Sequence, residues 1–436
     1  MIYSKVKLKN SNKTFLYRTD DNGILSDAGE LLSLPPQKGM EFFEDIHAKN
    51  LFGVTYKNGK PVALRILLGH ACNYSCTYCM QKDIGNPDER PENIYARMFV
   101  KSLETLDLSQ LERIELWGGE PFLYWKDIER IMPALDKEGR HFYISTNGSA
   151  LRQKHVDFFK QLKASVMLGV SHDGPGQESL RGEDILQKPQ IISVLKQFDD
   201  LYPKLQYSFN PVVSITNYDL FAINQYFRDV TNKHGIKNAR ISFTLGRTYD
   251  DTDSKNSNDH VISGEHIPKF KTIVNDYMDA CIAQLKQHGI SKALPIMQSN
   301  IFDGDMGAIQ YALKTRHQIP ITMTSNCGAD SADVLSMDIQ GNVRLCPHTS
   351  EKYIGGHINN IKGVKIIPLA LDRKSTHCAP CPVRRLCKSS CPIDFPDSTF
   401  LKNCRIEKVW YGAIQHAAFE LIFGEKVEIL ETGIEN

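Results

Sequence analysis

The chain has 436 residues, of which 41% are hydrophobic, 24% charged and 9% aromatic, the composition of a soluble globular protein of roughly two to four domains. Its net charge of +1, from 52 basic against 51 acidic residues, excludes a bulk electrostatic pull toward nucleic acid or an anionic membrane surface. No apolar run reaches the ~18 residues of a membrane span, and Met1-Ile-Tyr-Ser-Lys-Val-Lys-Leu-Lys lacks the apolar core of a signal peptide, so a cytoplasmic protein is expected.

Residues 1–60 read as a small N-terminal extension. Lys5–Tyr17 is strand-like, Asp20-Asp21-Asn22-Gly23 is a turn signal, and Gln37–Asn50 reads as a short helix after Pro35-Pro36. Leu51–Tyr56, the turn Lys57-Asn58-Gly59-Lys60 and Pro61–Leu68 read as a hairpin. Its second arm leads into Cys72-Asn-Tyr-Ser-Cys76-Thr-Tyr-Cys79, three thiols at spacing C-x3-C-x2-C. In a reducing compartment eleven cysteines are metal ligands before they are disulfides. A cubane iron–sulfur cluster normally takes four thiolates, and no further cysteine follows before Cys281. A cluster held here would keep one iron free to bind something else. The competing reading is half of a zinc site with His70, although four ligands within ten residues would be unusual for zinc.

From residue 61 to 264 strands and helices alternate. Candidate strands are Ala63–Leu68, Arg113–Trp117, Phe142–Thr146, Val166–Ser171, Gln206–Val213 and Arg240–Leu245. Helical periodicity falls between them at Ile94–Leu106, Trp125–Leu135, Leu151–Lys163, Pro189–Tyr202 and Tyr218–His234. Six such alternations imply an α/β architecture of parallel strands with right-handed crossovers, either a barrel or an open doubly wound sheet. In both, function gathers at the C-terminal ends of the strands. Those ends carry Trp117-Gly118-Gly119-Glu120-Pro121, Ser145-Thr146-Asn147-Gly148 and Ser171-His172-Asp173-Gly174-Pro175, with Arg181 downstream; strand five runs into Asn210 and strand six into Gly246-Arg247. Each motif alone is ordinary turn chemistry. Together they offer glycines for close backbone approach and carboxylate and hydroxyl groups for an ammonium and a ribose.

Tyr249–Gly264 is polar and reads as a surface loop, Ile267–Gln287 returns to helical periodicity within a linker spanning 265–320, and Cys281 on it reads as a small buried apolar residue. A second cysteine field spans 321–410: Cys327, Cys346, Cys378, Cys381, Cys387, Cys391 and Cys404. Cys378-x2-Cys381 with Cys387 and Cys391 would also satisfy a zinc ribbon. Residues 411–436 read as a closing helix, Tyr411–Ile422, and an edge strand or frayed tail from Gly424.

The first cysteine motif, with Tyr78 before its last thiol, and the strand-end motifs together resemble the radical S-adenosylmethionine (SAM) enzymes, and the second field resembles the seven-cysteine SPASM domain. The resemblance covers roughly residues 61–410 and implies a partial (β/α)6 TIM-type barrel. It implies that Cys72, Cys76 and Cys79 hold a [4Fe–4S] cluster whose open iron chelates S-adenosyl-L-methionine, which is cleaved to a 5′-deoxyadenosyl radical. By the same carry-over Tyr78, Gly118, Gly119, Glu120, Ser145, Asn147, Ser171, Asp173 and Arg181 are the SAM-contacting candidates. Two auxiliary [4Fe–4S] clusters are implied, making three in all: one held by Cys378, Cys381, Cys387 and Cys404, the other by Cys327, Cys346 and Cys391 with an open fourth position. Asp333 stands where some sulfatase-maturing members have an extra cysteine. Where those members have an aspartate base after the second auxiliary cysteine, this chain reads Cys346-Pro347-His348. Pro347 cannot accept a proton, so His348 is the candidate base, and the open fourth position is expected to take substrate or water ahead of a side chain such as Asp333 or His348. The expected substrate is a peptide or protein, with a flavodoxin- or ferredoxin-type reductant and the product a crosslink, epimer or oxidised residue. The runner-up is the same chemistry on a small molecule or modified nucleobase; a non-catalytic iron–sulfur or zinc protein comes third. The extension is too short for the winged-helix peptide-binding domain found in many relatives, which is expected to be absent.

Overall fold

The structure, a computed structural model, describes residues 2–18, 24–26, 28–30, 56–81, 94–247, 260–288, 327–329, 331–348, 354–365, 377–378, 380–387, 391 and 397–434. The expected turn at Asp20–Gly23, the helix at Gln37–Asn50, most of the Tyr249–Gly264 loop and the end of the 265–320 linker lie outside the described residues.

Three strands, β1 (Ile2–Leu8), β2 (Thr14–Arg18) and β3 (Ile24–Ser26), form an antiparallel meander. The next five are β4 (Ala63–Leu67), β5 (Arg113–Trp117), β6 (His141–Thr146), β7 (Ser165–Val170) and β8 (Leu205–Phe209). After them come β9 (Val212–Val213), β10 (Arg240–Ile241) and β11 (Thr244–Leu245). The cysteine field adds β12 (Val334–Asp338), β13 (Asn342–Arg344) and β14 (Ile354–His357), and the chain closes on β15 (Val427–Ile434). The helices are α1 (Ile94–Ser102), α2 (Trp125–Leu135), α3 (Gln153–Gln161), α4 (Gln177–Arg181), α5 (Pro189–Asp200), α6 (Leu220–His234), α7 (His266–His288), α8 (Arg384–Cys387) and α9 (Asp397–Phe423).

The large sheet runs β10-β8-β7-β6-β5-β4-β12-β13-β14, and β4 to β8 with β10 are parallel, as the alternating pattern requires. This is the α/β partial barrel anticipated above. Side chains alternate across each strand. Leu64, Ile66, Ile114, Leu116, Phe142, Ile144, Val166 and Leu168 form the fully buried face under the helices. The opposite parity carries Arg65, Glu115, Trp117, Tyr143 and Ser145, polar or aromatic residues set on the concave face.

Four sequence-based boundaries change. Strands five and six each break in two, at Asn210-Pro211 and Ser242-Phe243, because Pro211 has no N–H for the ladder; Thr244 N donates to the Pro211 carbonyl at 3.0 Å and the pairing resumes as β9–β11. The expected hairpin into β4 is replaced. Tyr56 bridges Lys365, Lys57 N donates to Val364 O at 2.9 Å, and β4 pairs with β5 and with β12, in register from Val334↔Ala63 to Asp338↔Leu67. The closing helix starts at Asp397 rather than Tyr411, so the boundary placed at 410 falls inside α9, with Cys404 on that helix. Finally, β15 is an edge strand laid on β1 from Leu8↔Val427 to Ile2↔Ile434, so the N-terminal extension and the C-terminal tail form one four-stranded sheet. Phe15 and Tyr17 of that sheet pack against Phe419 and Phe423 of α9, with ring centroids 4.4–6.0 Å apart.

Candidate active site

The loop after β4 and the loop after β5 are locked backbone to backbone. Gly119 N donates to Gly69 O and Glu120 N to Ala71 O, both at 2.9 Å. A Cβ on Gly119 would lie 2.4 Å from the His70 and Ala71 carbonyl oxygens, so only glycine allows this approach. The result is a cavity of about 410 Å³ at the C-terminal ends of the strands, a volume suited to a small ligand. Cys72, Cys76 and Cys79 line it together with Tyr78, Gly118, Gly119, Ser145, Asn147, Ser171 and Arg181.

Donors are aimed at the sulfurs. Tyr74 N lies 3.4 Å from Cys72 Sγ, Asn147 Nδ2 lies 3.9 Å from the same atom, and Arg181 Nη1 lies 3.9 Å from Cys76 Sγ. Burial pushes the Cys72 thiol up to about 11 and raises that of Cys76, against which the Arg181 charge works. Such thiols stay protonated unless a metal or cation compensates the thiolate. Three thiols at one cavity mouth with N–H donors aimed at their sulfurs fit an iron–sulfur cluster, which takes one thiolate per iron.

Two expected contacts sit behind the wall rather than in it. Glu120 is fully buried and its carboxylate is occupied: Phe122 N donates at 3.0 Å, Thr146 Oγ1 at 2.7 Å and Asn147 N at 2.7 Å. Burial raises its carboxyl to about 7 despite these donors. Asp173, also fully buried, accepts from Tyr78 Oη, Arg181 Nε at 2.8 Å and Val212 N at 2.8 Å. Arg181 stacks its guanidinium 5.2 Å from the Tyr78 ring centre. Asp173 therefore positions Tyr78 and Arg181, and Glu120 positions the Thr146–Asn147 turn. Behind them His172 donates or accepts at Asp184 Oδ1, 2.9 Å away, and its Nδ1 accepts the Gly174 amide at 3.1 Å, which places the proton on Nε2.

The cavity is completed by Trp117, Asn210 and Arg247 from the strand ends and His348 from after Cys346, together with Tyr143 and His260, which no sequence motif revealed. Asn210 Nδ2 donates to Tyr143 Oη at 2.8 Å, and burial raises the Tyr143 phenol to about 12. His348 stands edge-on to Trp117 with ring centres 4.8 Å apart, and among the described residues its buried Nδ1 has no hydrogen-bond partner. Burial, then the neighbouring His70 and Arg65 charges, lowers it to about 4, so it is a neutral imidazole at pH 7. Trp117 and Tyr143 were legible in principle, as aromatic residues on the concave parity of otherwise apolar strands. His348 was singled out by its place after Cys346. Asp333 lies elsewhere: it is buried at the entry to β12, its carboxylate takes the Ser331 hydroxyl and its carbonyl accepts Val62 N at 2.8 Å.

Cys378, Cys381, Cys387 and Cys404 line one enclosed cavity between α8 and α9, with Glu407 and Lys408. Cys387 Sγ donates to Glu407 Oε2 at 3.1 Å, and Glu407 Oε1 accepts from Arg247 Nε at 2.8 Å, so one ion pair joins this cavity to the first. Cys346 is half-buried near the exposed Cys327 and its thiol is pushed up to about 12 by desolvation, while Cys391 is half-buried. Among the described residues no helix is long and apolar enough to cross a membrane.

Residues 66–189 match the family model described as the radical SAM superfamily. The chain is 25% identical over 206 residues to the radical SAM cyclopropyl synthase TigE of Paramaledivibacter caminithermalis, across 43% of this chain and 42% of that protein. It is 30% identical over 141 residues to the GTP 3′,8-cyclase of Campylobacter jejuni subsp. doylei, across 31% of this chain and 42% of that one. These matches thus span less than half the length of either relative. The solved structure of native anSMEcpe with bound AdoMet and Cp18Cys peptide superposes with a TM-score of 0.56 at 16% identity, covering 83% of this chain and 99% of that one, which shows a common fold. The radical SAM domain matched over residues 66–189 implies SAM and a [4Fe–4S] cluster. Residues 66–189 thus carry a radical SAM superfamily domain, lying over β4 to α4 with the three thiols at its mouth, within a chain that shares the fold of anSMEcpe.

Proposed function

We propose that the chain is a SAM-dependent radical enzyme acting on a peptide or protein, with Cys72, Cys76 and Cys79 holding the SAM-binding cluster. The observation that carries the reading is that these thiols, Asn147, Ser145, Ser171 and Arg181 share one cavity wall. When bound, the reduced cluster and SAM supply a 5′-deoxyadenosyl radical that takes a hydrogen atom from substrate. The protein's own part is to orient and shield. Arg181, held by Asp173, presents charge toward Cys76 and a ligand carboxylate; the Gly118-Gly119 backbone and the Asn147 turn, held by Glu120, face the rest of the ligand. A flavodoxin- or ferredoxin-type protein is the proposed electron donor.

Two auxiliary [4Fe–4S] clusters complete the reading, one on Cys378, Cys381, Cys387 and Cys404, supported by their common cavity, the other on Cys327, Cys346 and Cys391. They would accept the electron left after hydrogen abstraction where the product is a crosslink or an oxidised residue, a proton leaving with it; an epimer, an isomer of the starting residue, would instead need a hydrogen atom returned. His348, neutral and facing the cavity, is the proposed proton acceptor or fourth-position group; Asp333, engaged with Ser331, is assigned to its loop. A peptide substrate is favoured by the peptide bound in anSMEcpe and by the SPASM-type cysteine set. The resemblance to a GTP cyclase makes a nucleotide the specific alternative.

The test is anaerobic reconstitution followed by incubation with SAM, a strong reductant, and either candidate peptides or GTP. The expected result is 5′-deoxyadenosine release that a peptide stimulates and that Cys72→Ala abolishes. Release unaffected by that substitution would sink the cluster assignment; stimulation by GTP alone would move the substrate to the nucleotide class.

A further inference from the structure

Arg65 is buried at the centre of β4 and has no part in the chemistry described so far. It lies directly across from Glu115 on β5 and from Ser336 on β12. Its Nε donates to Glu115 Oε2 at 2.9 Å, and its Nη2 donates to the Cys327 carbonyl at 2.5 Å. Glu115 is shared, since Arg113 Nε reaches its Oε1 at 2.8 Å and Trp117 Nε1 its Oε2 at 3.1 Å. Arg113 is half open to solvent, so the interior charges are Arg65 and Glu115, a pair whose positive end, the Nη2 on the Cys327 carbonyl, faces the second cysteine field. That charge acts on the Cys327 and Cys346 thiols as well as on Glu115.

A buried ion pair costs desolvation that a well-packed Met or Leu would avoid, so stability alone does not account for it. Its geometry does something an apolar residue cannot. The fork ties the Cys327 backbone to the barrel strand that leads into the Cys72–Cys79 loop, and it sets a fixed cation beside the second cysteine field.

We propose that Arg65 is a positioning residue for the first auxiliary site, anchoring the Cys327 loop and favouring the reduced form of an iron–sulfur cluster held by Cys327, Cys346 and Cys391. The inference rests on the auxiliary-cluster reading above. Reduction adds one electron and makes the site one charge more negative; a nearby cation in a low-dielectric interior stabilises that form more than the oxidised one. No bond is made or broken at Arg65, and its guanidinium keeps its proton throughout. Raising the potential in this way suits a site that must accept an electron from the substrate side.

The experiment is a dithionite titration of the fully reconstituted protein, followed by electron paramagnetic resonance, for wild type, Arg65→Met, Arg65→Lys and Glu115→Gln. Arg65→Met should lower one reduction step by at least tenfold in its equilibrium constant, 59 mV for one electron, and leave the others in place. Arg65→Lys should retain most of the wild-type value, and Glu115→Gln, which removes the compensating negative charge, should move the same step upward. If Arg65→Met fails to fold, the upward shift of Glu115→Gln beside a nearly unchanged Arg65→Lys still decides. Iron-replete variants with unshifted steps would overturn the role of Arg65. Wild-type protein whose iron content is unchanged by Cys327→Ala and Cys346→Ala would instead overturn the auxiliary site, and the inference with it.

Discussion

Glu120 accepts three hydrogen bonds and has no exposed surface, yet its carboxyl sits near 7, because burial penalises the charge more than the donors reward it. Relative to its ordinary 4.5 this is a raised value, so the folded protein holds a proton that the unfolded chain gives up. The contribution to stability is fully present below pH 4.5 and is lost as pH rises through 7, on the order of 3 kcal/mol across the window. Thermal melts of the apo-protein between pH 5 and 8 should therefore slope downward from this group. Glu120→Gln should flatten that slope, whatever it costs in midpoint; an unaltered slope would mean that the carboxylate is ionised throughout. His348 shows the same physics with the opposite sign of charge. Burial makes it neutral, which is what a proton acceptor in a dry pocket needs.

At the scale of elements, the informative event is the joining of the cysteine field to the barrel. β12 adds to β4 in parallel, and the loop before it is fastened by Lys57, whose buried Nζ donates to the carbonyls of Ala329 at 3.1 Å, Val334 at 2.8 Å and Ser331. Three carbonyls satisfied by one ammonium lose their partner together. Lys57→Met should cost about 3 kcal/mol in urea unfolding and lower iron bound through Cys327 and Cys346 while sparing iron bound through Cys72, Cys76 and Cys79. Equal loss from both sites would show that Lys57 supports the fold in general rather than this loop. The paired breaks in strands five and six belong here too: Pro211 forces one, and the parallel partner follows it in register, which carries Asn210 and Val212 into the cavity wall.

For the whole molecule, α9 is the organiser. It carries Cys404 and Glu407 at one end of the second cavity, stacks Trp410 on Phe270 of α7 (interplanar angle 5°), and covers the aromatic face of the terminal sheet with Phe419 and Phe423. β15 supplies the outer ladder of that sheet, and Glu425 closes its turn by accepting from Asn10 N at 2.7 Å and Ser11 N at 2.9 Å. Removing residues 425–436 should lower the melting temperature through loss of the β15 ladder and leave β1 as an unpaired edge, with iron content less affected than stability. An unchanged melting curve would show that the terminal sheet is an accessory. The Arg247–Glu407 pair reaches from the first cavity to Cys387.

The sequence by itself determined the parallel α/β alternation, because strand and helix periods are local, and it determined the Cys72–Cys79 mouth and the strand-end glycines, because ligand spacing and close-approach turns are written in consecutive residues. Its periodicity left a barrel and an open doubly wound sheet both open, and only the resemblance pointed to the barrel. It could not decide that β12 flanks β4, that the two termini share a sheet, or that Glu120 and Asp173 support the wall from behind. Nor could it reach the Arg65–Glu115 pair, 50 residues apart, or Trp117 against His348. Those depend on which strands become neighbours and how deeply each charge is buried, quantities set by packing over the whole chain and carried by no single stretch of it.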